Sequence, residues 1–234
     1  TAGDSSVLIE FGQEISPEIN AKITAFVHLM KAQHVGGVKD MIPAFISLLI
    51  NYDPRVVNYG ALKERLERLL KLEVSQETPS RIFDIPVCYG GEYGPDLENI
   101  AMHANLSTQE VIDIHSSEDY LIYMLGFLPG FSYLGGLDER IHTPRLANPR
   151  IKIPAGSVGI GGSQTGIYPL DSPGGWQLLG LTPVKTYDPN REIPILFEAG
   201  DYIHFVPVTE KDFLEIKEQV NQGTYECVIR QKGV

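Results

Sequence analysis

The sequence predicts an α+β protein in two parts, residues 1–80 and residues 81–234. Three observations predict it. The first part gives long elements in the order β-α-β-β-α. The second gives short apolar runs separated by glycine and proline, the spacing of a barrel or sandwich. Between them lies a polar stretch, Ser75–Ser80 (SQETPS), which reads as the linker.

Ser6–Phe11 reads as the first strand. Ser16-Pro17 opens a helix, with serine as cap and proline at the first helical position. Ile15, Ile19, Ile23, Phe26 and Met30 recur at helical steps, and Gly36-Gly37 marks the stop. Val38–Ile42 and Phe45–Asn51 follow as strands. Asn58 caps a second helix that carries Leu62, Leu66, Leu69 and Leu70, with Glu64–Arg68 and Glu67–Lys71 as i,i+4 pairs. This order is that of a ferredoxin-like unit, which needs one more strand. Arg81–Tyr89 either supplies it or begins the second domain. There, short helices start near Pro95 and at Ser107–Glu110, which has capping-box spacing. Strands are expected at Tyr120–Phe127, Val158–Ile160, Gly166–Tyr168, Gln177–Leu181, Ile193–Phe197 and Tyr202–Val206. A helix at Lys211–Gln222 and a strand at Tyr225–Arg230 close the chain.

The 234 residues carry a net charge of −11, which argues against general nucleic-acid binding. No apolar run of 18 residues is present, so no membrane span is expected. Thr1 is no natural start, so the sequence is expected to be trimmed, and the N-terminus shows no secretory pattern. Two cysteines, Cys88 and Cys227, give no disulfide framework and fit a reduced, cytoplasmic setting.

The segment Gly126–Gly180 concentrates the chemistry. It holds 12 of the 23 glycines, six of the 16 prolines and the only tryptophan. From Arg140 to Leu170 it has four Lys/Arg and no acid, which points to an anion. Arg145, Arg150 and Lys152 supply the charge, since arginine forks match carboxylate and phosphate. Gly156–Gly166, with Gly161 and Gly162, offers backbone N–H groups for an anion-binding nest. Ser163, Gln164 and Thr165 add neutral donors, and Tyr168 and Trp176 an apolar wall. The plainer alternative is a solvated basic face with tight glycine turns. His115, at a helix C-terminus where its charged form is favoured, reads either as an acid, base or anion contact or as a cap. Asp171 and Asp201 are possible bases, with Asp201 reading as a turn residue. Gly130–Leu134 misses the hydrolase elbow by its last glycine, Gly159–Gln164 lacks the third glycine of a dinucleotide loop, and no P-loop occurs. The six histidines show no metal-ligand spacing.

The runs Gly126–Phe131, Pro154–Val158, Gly161–Pro169 and Ser172–Trp176 resemble the KipI family, also called allophanate hydrolase subunit 1 or the B component of 5-oxoprolinase. The likeness extends to Tyr89-Gly90-Gly91, Gly94–Leu97, His115-Ser116, Pro144-Arg145 and Pro149-Arg150. It implies a ferredoxin-like domain followed by a cyclophilin-like β-barrel, and partners: a related C component and an A component. With them it implies an ATP-dependent 5-oxoprolinase, ATP entering with Mg²⁺ in the assembled complex and this chain inactive alone. The alternative it implies is inhibition of a sporulation sensor histidine kinase. A lactam is a poor electrophile. Phosphorylating its amide oxygen creates a leaving group and lets water open the ring to glutamate, chemistry that needs positioned cations and donors. His115, Arg150 and Gln164 are then the expected catalytic residues. Arg145, Lys152, Gly161, Gly162, Ser163, Thr165, Tyr168 and Trp176 are the expected anion or substrate contacts.

Overall fold

The computed structural model describes residues 2–72 and 80–232. The expected linker at Ser75–Ser80 lies outside them, save for Ser80. The chain divides into two compact units, Thr1–Pro79 and Ser80–Gly233.

The first unit is a three-stranded antiparallel sheet with two helices. Its elements are β1 (Ser6–Glu10), α1 (Pro17–Ala32), β2 (Val38–Pro43), β3 (Ser47–Tyr52) and α2 (Tyr59–Leu70), and the sheet order is β1-β3-β2. Ser16 caps α1 by accepting from the Ile19 N–H, and Asn58 caps α2 by accepting from the Ala61 N–H. Helix α1 ends at Ala32, ahead of the expected glycine stop, and His34 takes a left-handed turn. Ile23, Phe26 and Met30 of α1 and Leu62, Leu66 and Leu69 of α2 are buried with Leu48, Ile50 and Tyr52 of β3. Each such side chain contributes roughly 1.5–3 kcal/mol by leaving water. On the surface of α2, Glu67 pairs with Lys63, and Arg68 donates to the Glu64 carbonyl rather than to its carboxylate.

The second unit is built on a closed barrel. Its strands are β4 (Arg81–Tyr89), β5 (Asp119–Leu125), β6 (Ser132–Gly135), β7 (Arg150–Ile153), β8 (Ser157–Gly161), β9 (Gln164–Ile167), β10 (Ser172–Gly174), β11 (Gln177–Leu181), β12 (Tyr202–Pro207) and β13 (Val228–Gln231). Seven of them close a cycle, β4-β11-β8-β9-β6-β5-β12. Strand β4 makes closure possible through its length. Its C-terminal residues Cys88 and Tyr89 pair with β11, while Arg81–Asp84 pair with β13 on the same edge. Arg81–Tyr89 thus belongs to the barrel and does not complete the N-terminal sheet. Strands β7 and β10 form a separate ribbon. The barrel is filled by Ile85, Val87, Ile122, Leu134, Val158, Ile160, Ile167, Leu179, Ile203 and Phe205. Helices α3 (Leu97–Ala104), α4 (Thr108–Ser116) and α5 (Glu210–Gln222) complete the unit. Helix α4 has the expected capping box, and Gly223 ends α5 at φ +71°.

Two expectations fail here. Ile193–Phe197 is not a strand, only a bridge between Ile195 and Tyr187. The expected strand at Tyr225–Arg230 is shifted to Val228–Gln231, and Cys227 lies just before it. Both cysteines are free thiols. Among the described residues no helix is long and apolar enough to cross a membrane.

Candidate functional site

The glycine-rich hairpin β8–β9 turns at Gly162-Ser163, where Gly162 takes φ +71°. Its N–H groups are committed. Gly156 donates to the Tyr168 carbonyl at 2.7 Å and Gly162 to Thr143 at 2.8 Å. Gly159, Gly161 and Gly166 lie in the β8–β9 ladder. Pairing thus uses donors that the expected anion nest would need. The glycines instead make room for Trp176. A β-carbon on Gly161 would fall inside the indole, and one on Gly166 would press it at 3.2 Å.

Trp176 is therefore no open wall. It is 4% exposed and packs edge-on with Phe131 and Tyr168, ring centroids 5.6 and 6.0 Å away. Tyr168 is also buried, which raises its phenol pKa. Leu178 and Ile153 complete this second small core.

The basic stretch finds its acids elsewhere in the sequence. Arg150 Nη2 donates to Asp96 Oδ1 at 2.7 Å, and Asp96, 3% exposed, also accepts from the Leu178 N–H at 2.7 Å. Arg150 thereby ties β7 to the start of α3 and to β11, so its first role is structural. Lys152 pairs with Asp171 at 2.7 Å on the surface, which raises the ammonium pKa and lowers that of the carboxyl. Asp171 is thus a partner rather than a free base. Asp201 accepts from Arg81 at 2.6 Å and from the Glu198 N–H, a buried turn residue. Arg140 pairs with Asp138.

Arg145 is different. Its guanidinium stands over Trp176, 5.9 Å from the ring centroid, and among the described residues it has no carboxylate partner. The segment that carries it is bridged to Gly162 through Thr143 and to Gly175 through Leu146. Arg145 thus sits between the hairpin turn, with exposed Ser163 and half-buried Gln164, and the tryptophan.

His115 is placed in the barrel core, not at a surface. It is fully buried and stacks on Phe205 with centroids 4.6 Å apart. Thr165 Oγ1 donates to the Gly159 carbonyl at 3.1 Å, so it accepts from His115 Nε2–H at 2.8 Å. Nδ1 then accepts from the Tyr89 hydroxyl at 2.8 Å. Burial lowers the imidazole pKa to about 3, which overturns the expected charged helix-end histidine. Desolvation outweighs the helix dipole here. Thr165 belongs to the same buried chain of bonds. Both residues are fully buried.

Of the expected contacts, then, Arg145 and Ser163 stay exposed and Gln164 half-buried. The fold buries His115, Thr165, Tyr168 and Trp176 and pairs Arg150 and Lys152. Sequence reasoning missed Asp96 as the partner of Arg150, since 54 residues separate them and only the fold unites them. Among the described residues no group of histidines, cysteines and acids could hold a metal ion.

Fold and site define a two-unit α+β protein with a closed barrel and a basic edge beside a buried tryptophan. The chain belongs to the carboxyltransferase domain family, subdomains C and D, whose sequence profile matches residues 1–197. It is 46% identical to the 5-oxoprolinase B component of Bacillus subtilis (strain 168), over 94% of this chain and 96% of that one. It is 43% identical to the 5-oxoprolinase B component of Escherichia coli O157:H7, over 89% and 94%. Among solved structures it is similar to TTHA0988, with 37% identity and a TM-score of 0.78. That match covers 87% of this chain and 40% of that longer one. The K. lactis urea amidolyase, 24% identical with a TM-score of 0.78, shares the fold over 99% of this chain and 16% of its own.

Proposed function

We propose that this chain is the B component of a 5-oxoprolinase, acting with a related C component and an A component to open 5-oxoproline to glutamate with ATP. What carries the reading is the pair of B-component relatives, 46% and 43% identical along nearly their whole length. Those names do not favour the kinase-inhibitor alternative. In this reading the complex hydrolyses ATP and the isolated chain is inactive. The complex acts in the cytoplasm, and the two domains of this chain divide near residue 80. The order β1-β3-β2, with β3 antiparallel to both neighbours, supports a ferredoxin-like unit, and the barrel is read as cyclophilin-like.

The residues present do not fit a nucleoside triphosphate. The hairpin N–H groups are used in pairing, and Arg150 and Lys152 are neutralised by Asp96 and Asp171. ATP and Mg²⁺ are therefore assigned to another part of the complex. This chain contributes Arg145 as the contact for one carboxylate or phosphate oxygen pair, with Gln164 and Ser163 as neutral donors beside it. The indole under Arg145 holds the guanidinium by cation–π attraction. His115 and Thr165 act as positioning residues that fix β9 and hence Gln164.

Glutamate release from 5-oxoproline is measured with the purified chain, the C and A components, and ATP. Release only by the complete set supports the reading. No release by the complete set, or full release without this chain, refutes it.

A further inference from the structure

The loop between β5 and β6 holds a phenylalanine outward in a conformation that phenylalanine rarely takes. Phe127 has φ +67°, in the left-handed region where a bulky residue is an outlier. Across it the Leu128 N–H donates to the Gly126 carbonyl at 2.8 Å, a γ-turn with Phe127 at its apex. Two further bonds fasten the loop: Gly126 N–H to the Phe131 carbonyl at 3.1 Å, and Phe131 N–H to the Leu128 carbonyl at 3.0 Å. At Gly130 a β-carbon would press on Tyr187 and on the Thr186 carbonyl, so the loop is wedged in place. Yet the ring it presents is 65% exposed, with an edge-on contact to buried Phe131 at 5.6 Å between centroids. Burial does not account for this strain, since most of the apolar ring surface stays in water. Strained backbone that local packing does not explain points to a function for the group it presents.

We propose that Phe127 is the anchor by which this chain docks its companion protein, its ring entering an apolar pocket there. The identity of the companion, the C component, rests on the functional reading above. That a companion protein surface exists is supported separately. In TTHA0988 the matching segment is 40% of a longer chain, so there it is joined to further polypeptide. A rigid, exposed aromatic on a preorganised loop is the common form of an interface hot spot. Exposed Pro129 flanks it. Exposed Arg145 stands over Trp176, which packs on Phe131, so a charged group lies at the margin of the aromatic cluster. An apolar centre with a charged margin is the arrangement of a protein interface.

The test uses the intact chain, F127A, F127G and the purified C component. Thermal melts come first. Glycine ordinarily lowers stability relative to alanine, but at a left-handed position F127G melts above F127A. Binding to the C component is then titrated. Both variants are expected to weaken it at least about 30-fold, the hot-spot range. With the other components saturating, the KM for 5-oxoproline is expected to be unchanged. The proposal is overturned if F127A melts at or above F127G, if either variant keeps parental affinity, or if the parent does not bind the C component. It is also overturned if KM rises while affinity holds, which would make the ring a substrate contact, or if the ring instead serves self-association. Loss of affinity in a complex that never hydrolyses 5-oxoproline would uphold the anchor and refute the activity.

Discussion

Replacing Asp96 by alanine removes the acceptor that joins three elements of the barrel unit. Its two oxygens accept from Arg150 and from the Leu178 N–H, both at 2.7 Å, and its side chain is 5% exposed. The Leu178 N–H is then buried without a partner, costing about 1–3 kcal/mol. The Arg150 side chain is 30% exposed, so water partly compensates its charge, and its loss falls below the 3–5 kcal/mol of a fully buried broken pair. Together these give about 3 kcal/mol, or a fall in Tm of roughly 6–12 °C for a chain of this size. Trp176 is the only tryptophan and is 4% exposed within the barrel unit, so its fluorescence reports that unit's melting. R150M, which keeps an apolar stem, should cost less, and the double variant should cost less than the sum by about 1–2 kcal/mol. A change below about 0.5 kcal/mol for D96A, or strict additivity, would refute the structural role given to Arg150.

His115 makes stability pH-dependent. Its folded pKa of about 3 lies below the unfolded value, so its contribution is complete above the unfolded pKa and is lost as pH falls. From pH 7 to pH 5 the chain should lose about 2 kcal/mol, measured by urea unfolding. H115Q should be less stable at pH 7 but nearly flat over that interval, and an equal slope in both proteins would contradict the buried neutral imidazole. G161A places a β-carbon inside the Trp176 indole. It should lower stability by about 1–3 kcal/mol and shift the tryptophan emission. An unchanged spectrum and melting point would show that the hairpin does not seat the ring.

The sequence made the helices legible because their signals are local. Ser16, Asn58 and Ser107 cap where their spacing says, and Gly223 stops α5. Strand Gln177–Leu181 was readable from its residues, but the three- and four-residue strands β6, β7 and β10 were not, since so short a run has no period to detect. Closure of the barrel depends on the pairing of β4 with β11, between residues such as Tyr89 and Gly180 that lie far apart in the chain, and no local pattern records it. The candidate site shows the same division. Arg145 stood out by charge. That Arg150 and Lys152 would be neutralised by Asp96 and Asp171 was invisible in a window that counts only neighbours. The glycines suggest donors for an anion, whereas the missing side chains of Gly161 and Gly166 are what the tryptophan needs.

Of Arg145, Arg150 and Lys152, we assign only Arg145 to a charged group in the reaction, since the other two pair with Asp96 and Asp171. The decisive measurement compares kcat/KM for 5-oxoproline-dependent glutamate release in the complete complex for R145A and K152A. R145A should lose about 10- to 100-fold, the worth of a charge-assisted hydrogen bond, while K152A stays within about twofold. Equal activity in R145A and the parent, or a larger loss in K152A, would contradict the account.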